Sequence, residues 1–81
     1  MTRFYFHLRA GDQFILDDEG QDLTNASAAR AEAISSAREI VAGAVRSGQV
    51  SVPDAFVIAD EAGQEIDIVP LATVLPESLK K

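Results

Sequence analysis

Between Ala26 and Ser47 the chain has no proline, eight alanines and a single weak helix position, Gly43, and a stretch of that composition and length is an α-helix. At 100° per residue, Ala26, Ala29, Ala33, Ile34, Ala37, Ile40, Val41, Ala44 and Val45 fall within one arc of roughly 160°. The helix is therefore amphipathic. Thr24 or Asn25 can cap its start, Gly48 is placed to end it in a left-handed conformation, and Arg46 sits in the last turn, where a cation suits the dipole. Its length, about 33 Å, is enough to cross a four-stranded sheet diagonally. The many alanines on the apolar side let the helix axis come close to whatever covers it.

The cover is written on either side of the helix. Arg3 to Arg9 alternates Phe4, Phe6 and Leu8 against Arg3, Tyr5, His7 and Arg9, the period-two pattern of a strand with one buried face. Ala10-Gly11-Asp12-Gln13 is a turn, and Phe14-Ile15-Leu16-Asp17 returns as a second strand before Asp18-Glu19-Gly20. All three apolar residues of that strand call for cover, with either Phe14 and Leu16 or Ile15 on the helix side. Ala55 to Ala59 and Glu65 to Val69 form a second hairpin around Asp60-Glu61-Ala62-Gly63-Gln64. Pro70 ends the pairing, and Leu71, Val74 and Leu75 are spaced to fold back on the core. The segment from Phe14 to Leu23 echoes that from Phe56 to Ile66. Turn chemistry accounts for the echo, because each turn needs a carboxylate to accept from its amides and a glycine for positive φ.

The expected fold is α+β: ββαββ, two antiparallel β-hairpins forming one sheet with a single long helix packed on one face. Residues 3–75 make a single domain and residues 76–81 a flexible C-terminal tail, since 81 residues support one core. Phe4, Phe6, Leu8, Ile34, Ala37, Val41, Ala44, Ile66 and Ile68 are expected between helix and sheet. The opposite face is then open. Tyr5, His7, Phe14, Leu16, Val57 and Val69 are its candidate interface residues, and a patch of that kind calls for a partner.

Thirteen acids against seven basic residues leave a net charge of −6, which repels phosphate backbones and excludes nucleic acid and anionic membrane as the natural partner. Residues 1–24 carry −3, residues 25–48 +1 and residues 49–81 −4, so the helix alone is not acidic. A basic protein suits such a surface. The longest apolar run, Ala55 to Ala59, is far short of the roughly 20 residues that span a bilayer. With no cysteine and no visible export signal, the expected compartment is the cytoplasm.

The residues that carry chemistry elsewhere lack company here. His7, the one histidine, could act as a base or a metal ligand, but its neighbours on the strand face are Tyr5 and the cation Arg9. The acidic run Asp17 to Asp22 suggests calcium, yet with Gly20 in the glycine position of a calcium loop the first and last ligands would be Ile15 and Ala26. There is no phosphate-binding glycine loop and no serine in a nucleophile elbow. Ser35-Ser36 has only Glu39 beside it. The expectation is a protein without catalytic residues, metal or cofactor. Arg30 is the odd residue, since its wheel angle lies inside the apolar arc. An ion pair with Asp17, or with Asp22, resolves the conflict, the alternative being a buried anion site at the helix start.

The combination Arg3-Phe4-Tyr5-Phe6-His7-Leu8-Arg9, Gly11-Asp12, Asp17-Asp18-Glu19-Gly20, Ala29-Arg30-x-Glu32-Ala33, Ala37-Arg38-Glu39, Asp60-Glu61-x-Gly63 and Val69-Pro70-Leu71 resembles a family of short bacterial proteins classed as a domain of unknown function, DUF6894. The resemblance spans residues 3 to 75 and implies a bacterial cytosolic setting with no activity or cofactor to transfer. The order of hairpin, extended segment and Ala- and Glu-rich helix is similar to small antitoxins of the HicB type, although the aromatic-proline pattern and a DNA-binding module are missing. Two functions follow. The first is an accessory, protein-interaction module that forms a homodimer through its open sheet face or an edge. The second is an antitoxin-like acidic inhibitor of a basic partner, with small-ligand binding a distant third.

Overall fold

The computed structural model describes residues 1–49 and 51–75, so the expected tail at 76–81 lies outside the described residues. The elements run β1 (Thr2–Ala10), β2 (Gln13–Ile15), β3 (Gln21–Leu23), α1 (Ala26–Ser47), β4 (Ala55–Ala59), β5 (Glu65–Pro70) and a 3-10 turn at Leu71–Val74. The fold is mixed α+β, one helix on an open antiparallel sheet. Its order is β2-β1-β4-β5, with the short β3 also paired to β1, so there are five strands rather than four.

The fifth strand arises because the return from β1 is broken in the middle. β2 pairs with β1 at Leu8 to Ala10 and β3 pairs with it at Thr2 to Phe4, and between them the chain bows outward through Leu16 to Gly20. Asp17 closes the gap: its Oδ2 accepts from the Phe6 N–H at 3.0 Å, in place of a strand partner. Gly20 has a φ of +71°, and a Cβ there would meet the Phe4 carbonyl oxygen at 2.8 Å. Only glycine fits, both for its dihedral and for the approach of β1.

The helix forms as its sequence dictates. Asn25 Oδ1 accepts from the Ala28 N–H at 2.9 Å, and Gly48 ends the helix at a φ of +74° while its N–H and that of Gln49 return to Val45 and Ala44. Ala29, Ala33, Ala37 and Ala44 are the buried helix residues. Their small side chains let α1 settle on Phe4, Phe56, Ile58, Val69 and Leu71, with Phe6, Leu8, Ile34, Ile40 and Val41 around this centre. Six of the nine expected core residues lie in or around this cluster, and a seventh, Ala44, is buried on the same helix.

Two expectations fail here, and they are Ile66 and Ile68. Both are exposed, 39% and 42%, and Ile68, the partner of Val57, lies on the face away from the helix. Opposite Phe56 and Ile58 of β4 stand Val69 and Asp67, so the helix side of β5 carries a fully buried valine and a carboxylate. A bulge sets this local pairing, since Ile58 pairs with Asp67 but Ala59 with Glu65, leaving Ile66 as the additional residue. Alternation alone favours the isoleucines inside. Val69 and the ion pair made by Asp67 decide otherwise.

The helix does not cross the whole sheet. It lies over β3, β4, β5 and the 3-10 turn, where Leu71 is buried and Val74 packs beside the core. β2 is left beyond its reach. Hence Phe14, Ile15 and Leu16 are all exposed, and the expectation that the helix covers one face of this strand is corrected.

Candidate functional site

The face of the sheet opposite α1 is built from the alternate residues of four strands. β1 contributes Tyr5, His7 and Arg9, β2 Phe14, β4 Ala55, Val57 and Ala59, and β5 Ile68 and, past the bulge, Glu65. Strand register lines up His7, Val57 and Ile68 in one row across the sheet. The Tyr5 and His7 rings stack with centroids 6.4 Å apart, and Phe14 tilts against His7 at 5.4 Å. These three rings make a ridge along one side. Ile68 stands on the other side, about two strand spacings, roughly 10 Å, away. Between them Ala55, Val57 and Ala59 are buried because they are short and flanked by larger neighbours. The face is a shallow apolar trough with an aromatic wall and an aliphatic wall.

Of the expected interface residues, Tyr5, His7, Phe14 and Val57 are brought together on this face, with Val57 as its floor. Leu16 follows the end of β2 and is 62% exposed at the adjoining edge. Val69 does not belong to the face. It is fully buried under the helix, because it pairs with Phe56 on the core side of the sheet. Ile68, assigned by pattern to the core, takes its place.

Asp17 organises the margin of the face. Partial burial pushes its carboxyl up, but N–H groups of Phe6, Gly20 and Glu19, with His7 nearby, outweigh that and hold it below the ordinary value. Oδ1 accepts from Glu19 at 3.1 Å and Gly20 at 3.2 Å, and the Asp17 N–H in turn donates to His7 Nδ1 at 3.0 Å. Asp60 repeats the turn geometry: its Oδ1 accepts from Ala62 and Gln64, and Gly63 takes a φ of +85°. Asp17 to Gln21 and Asp60 to Gln64 thus share the spacing Asp-x-x-Gly-Gln for the same local reason.

Asp17 and Asp22 are not the partners of Arg30. The Arg30 guanidinium bonds both oxygens of Asp67 at 2.9 Å, because the helix start lies over β5 rather than over the acidic turn. Asp22 instead pairs with Arg3 at 3.2 Å, and Arg3 also donates to the Glu19 carbonyl. Arg30 and Asp67 are 44% and 32% exposed in their side chains, so the pair is a partly solvated one with Asp67 in place of the anticipated buried pair.

At the end of the sheet, Ala10, Gly11, Ser51, Val52, Pro53 and Asp54 line an open depression of about 500 Å³. Its one carboxylate, Asp54, already accepts from the Gly11 N–H at 3.0 Å. Among the described residues there is no grouping of three or more His, Asp or Glu that could hold a metal, no buried polar or charged residue, and no helix long and apolar enough to cross a membrane.

A family model described as a domain of unknown function (DUF6894) matches residues 3–72, which is most of the chain. The chain belongs to this family. The DUF6894 match begins in β1 and ends within the 3-10 turn, so it contains every strand of the sheet and the whole of α1. Comparison with curated proteins and with solved structures found no match.

Proposed function

We propose that this DUF6894 chain is a non-catalytic interaction module, cytoplasmic as its lack of cysteine suits, that self-associates through the open face of its sheet. One observation carries the reading. Phe14 and Ile68 are exposed on the same face as Tyr5, His7 and Val57, in a sheet covered on its other side only.

Charge favours a second copy at this face. A chain of net charge −6 repels its own kind, but five of its acids, Asp12, Asp18, Glu19, Asp60 and Glu61, lie on the turns, and the row His7, Val57 and Ile68 at the centre of the face has none. The shape suits the same partner, since the aromatic ridge of one copy can enter the trough of another across a two-fold axis. The non-catalytic part of the proposal rests on burial. General acid–base or nucleophilic work needs a desolvated group in a cleft, and the one depression described offers a carboxylate already engaged.

Size-exclusion chromatography with light scattering, at two concentrations about tenfold apart, tests the reading. The expected result is twice the chain mass at the higher concentration, and an Ile68→Lys variant that is monomeric with unchanged circular dichroism. A wild-type chain that is monomeric at both concentrations overturns self-association. The acidic turns, in the manner of an antitoxin-like inhibitor of a basic protein, then become the surface to test.

A further inference from the structure

We infer that His7 is a proton-operated latch on the segment Leu16 to Gly20, the bow that separates β2 from β3. The geometry is reciprocal. The Asp17 carboxylate accepts from the backbone N–H of Phe6, and the Asp17 N–H donates to Nδ1 of the next residue, His7. These two bonds, one residue apart on β1, hold the start of the bow against a strand whose regular pairing is interrupted there, and Arg3 holds its far end at the Glu19 carbonyl.

A histidine Nδ1 that accepts a hydrogen bond has no proton, so the latched imidazole is neutral and carries its hydrogen on Nε2. Adding a proton turns Nδ1 into a donor pointing at another donor. The bond from Asp17 N–H is lost, and the imidazolium becomes free to turn toward the Asp17 carboxylate instead. The bow then has one bond fewer at Asp17, next to the exposed side chains of Phe14 and Leu16.

The groups around the ring do not take over this role. On its own strand face stand Tyr5, stacked against it, and the cation Arg9; the following segment presents Asp17. β2 presents Phe14, β4 presents Val57 and, beyond it, β5 presents Ile68, none of which titrates. Asp17 is held ionised to below the usual carboxylate range by its three backbone donors. The assignment stands on the His7–Asp17 geometry and holds whether or not the open face binds a second copy.

Nuclear magnetic resonance of the full chain tests it. At pH 8 the ring nitrogens of His7 should report a neutral imidazole with the hydrogen on Nε2. On acidification the Asp17 amide resonance should move with the same midpoint as the His7 ring protons, and it should stay fixed in His7→Gln, whose side-chain oxygen accepts without titrating. A hydrogen on Nδ1 at pH 8 overturns the latch, and that measurement needs only the wild-type chain. So does an Asp17 amide that stays fixed while the His7 ring titrates, or one that moves equally in His7→Gln.

Discussion

Asp17 shows how much one side chain can decide. It supplies a strand partner for Phe6, closes its own turn on Glu19 and Gly20, and keeps its charge because backbone N–H groups surround it. Replacing it with Asn puts an amide nitrogen or a single oxygen where two acceptors are needed, which should cost on the order of 1–3 kcal/mol. The sign of the pH dependence follows from the lowered carboxyl: its contribution is complete above the ordinary value of 3.8 and is lost as the pH falls through the lower, folded-state value. Urea denaturation should therefore show a gap between wild type and Asp17→Asn at about pH 8 that narrows below about pH 4. Arg30 gives the opposite lesson in magnitude. Its pair with Asp67 has good geometry, 2.9 Å to both oxygens, but both side chains remain partly solvated. An Arg30→Ala, Asp67→Ala double-mutant cycle should give a coupling of at most about 1 kcal/mol, and a coupling near zero in the Arg30–Asp17 cycle. A large Arg30–Asp17 coupling would refute the placement described. The wheel angle of Arg30 announced that it needed an acceptor; the identity of that acceptor was not in the wheel.

At the scale of elements, the helix was almost wholly legible. Its span, its Asn25 cap, its Gly48 stop and its alanine stripe are all local, set by propensity and by hydrogen bonds within a few residues. The stripe carries a prediction of its own. Ala33 is fully buried against the sheet, so Ala33→Leu forces the helix away from it and should destabilise by about 1–3 kcal/mol or more. Ala42→Leu on the exposed side should be close to neutral, and thermal melts of the two variants separate packing from propensity. β1 and β4 were equally readable. β2 was legible as the return from the first turn but not its early end at Ile15, and β3 was not legible, since each is three residues long and their separation rests on the Asp17 bond and on Gly20 rather than on any run of strand formers.

For the molecule as a whole, the sequence by itself determined that there is one helix, that antiparallel strands flank it, that the core is aromatic and aliphatic against alanine, and that the turns are acidic. Each of these rests on composition, periodicity or a capping residue, all of which act over short distances along the chain. The tertiary structure alone decided which face of β5 turns inward, which acid meets Arg30, and how far the helix reaches across the sheet. Glu65-Ile66-Asp67-Ile68-Val69 alternates well enough to serve either way round. The outcome turns on a bulge, a buried valine and an arginine 37 residues earlier. The 3-10 turn, through Leu71, anchors α1 over β4 and β5 and leaves β2 bare. That displacement is why the apolar surface of this protein is divided between a covered core and an open face, a division no local pattern encodes because it depends on where separate segments come to rest against one another.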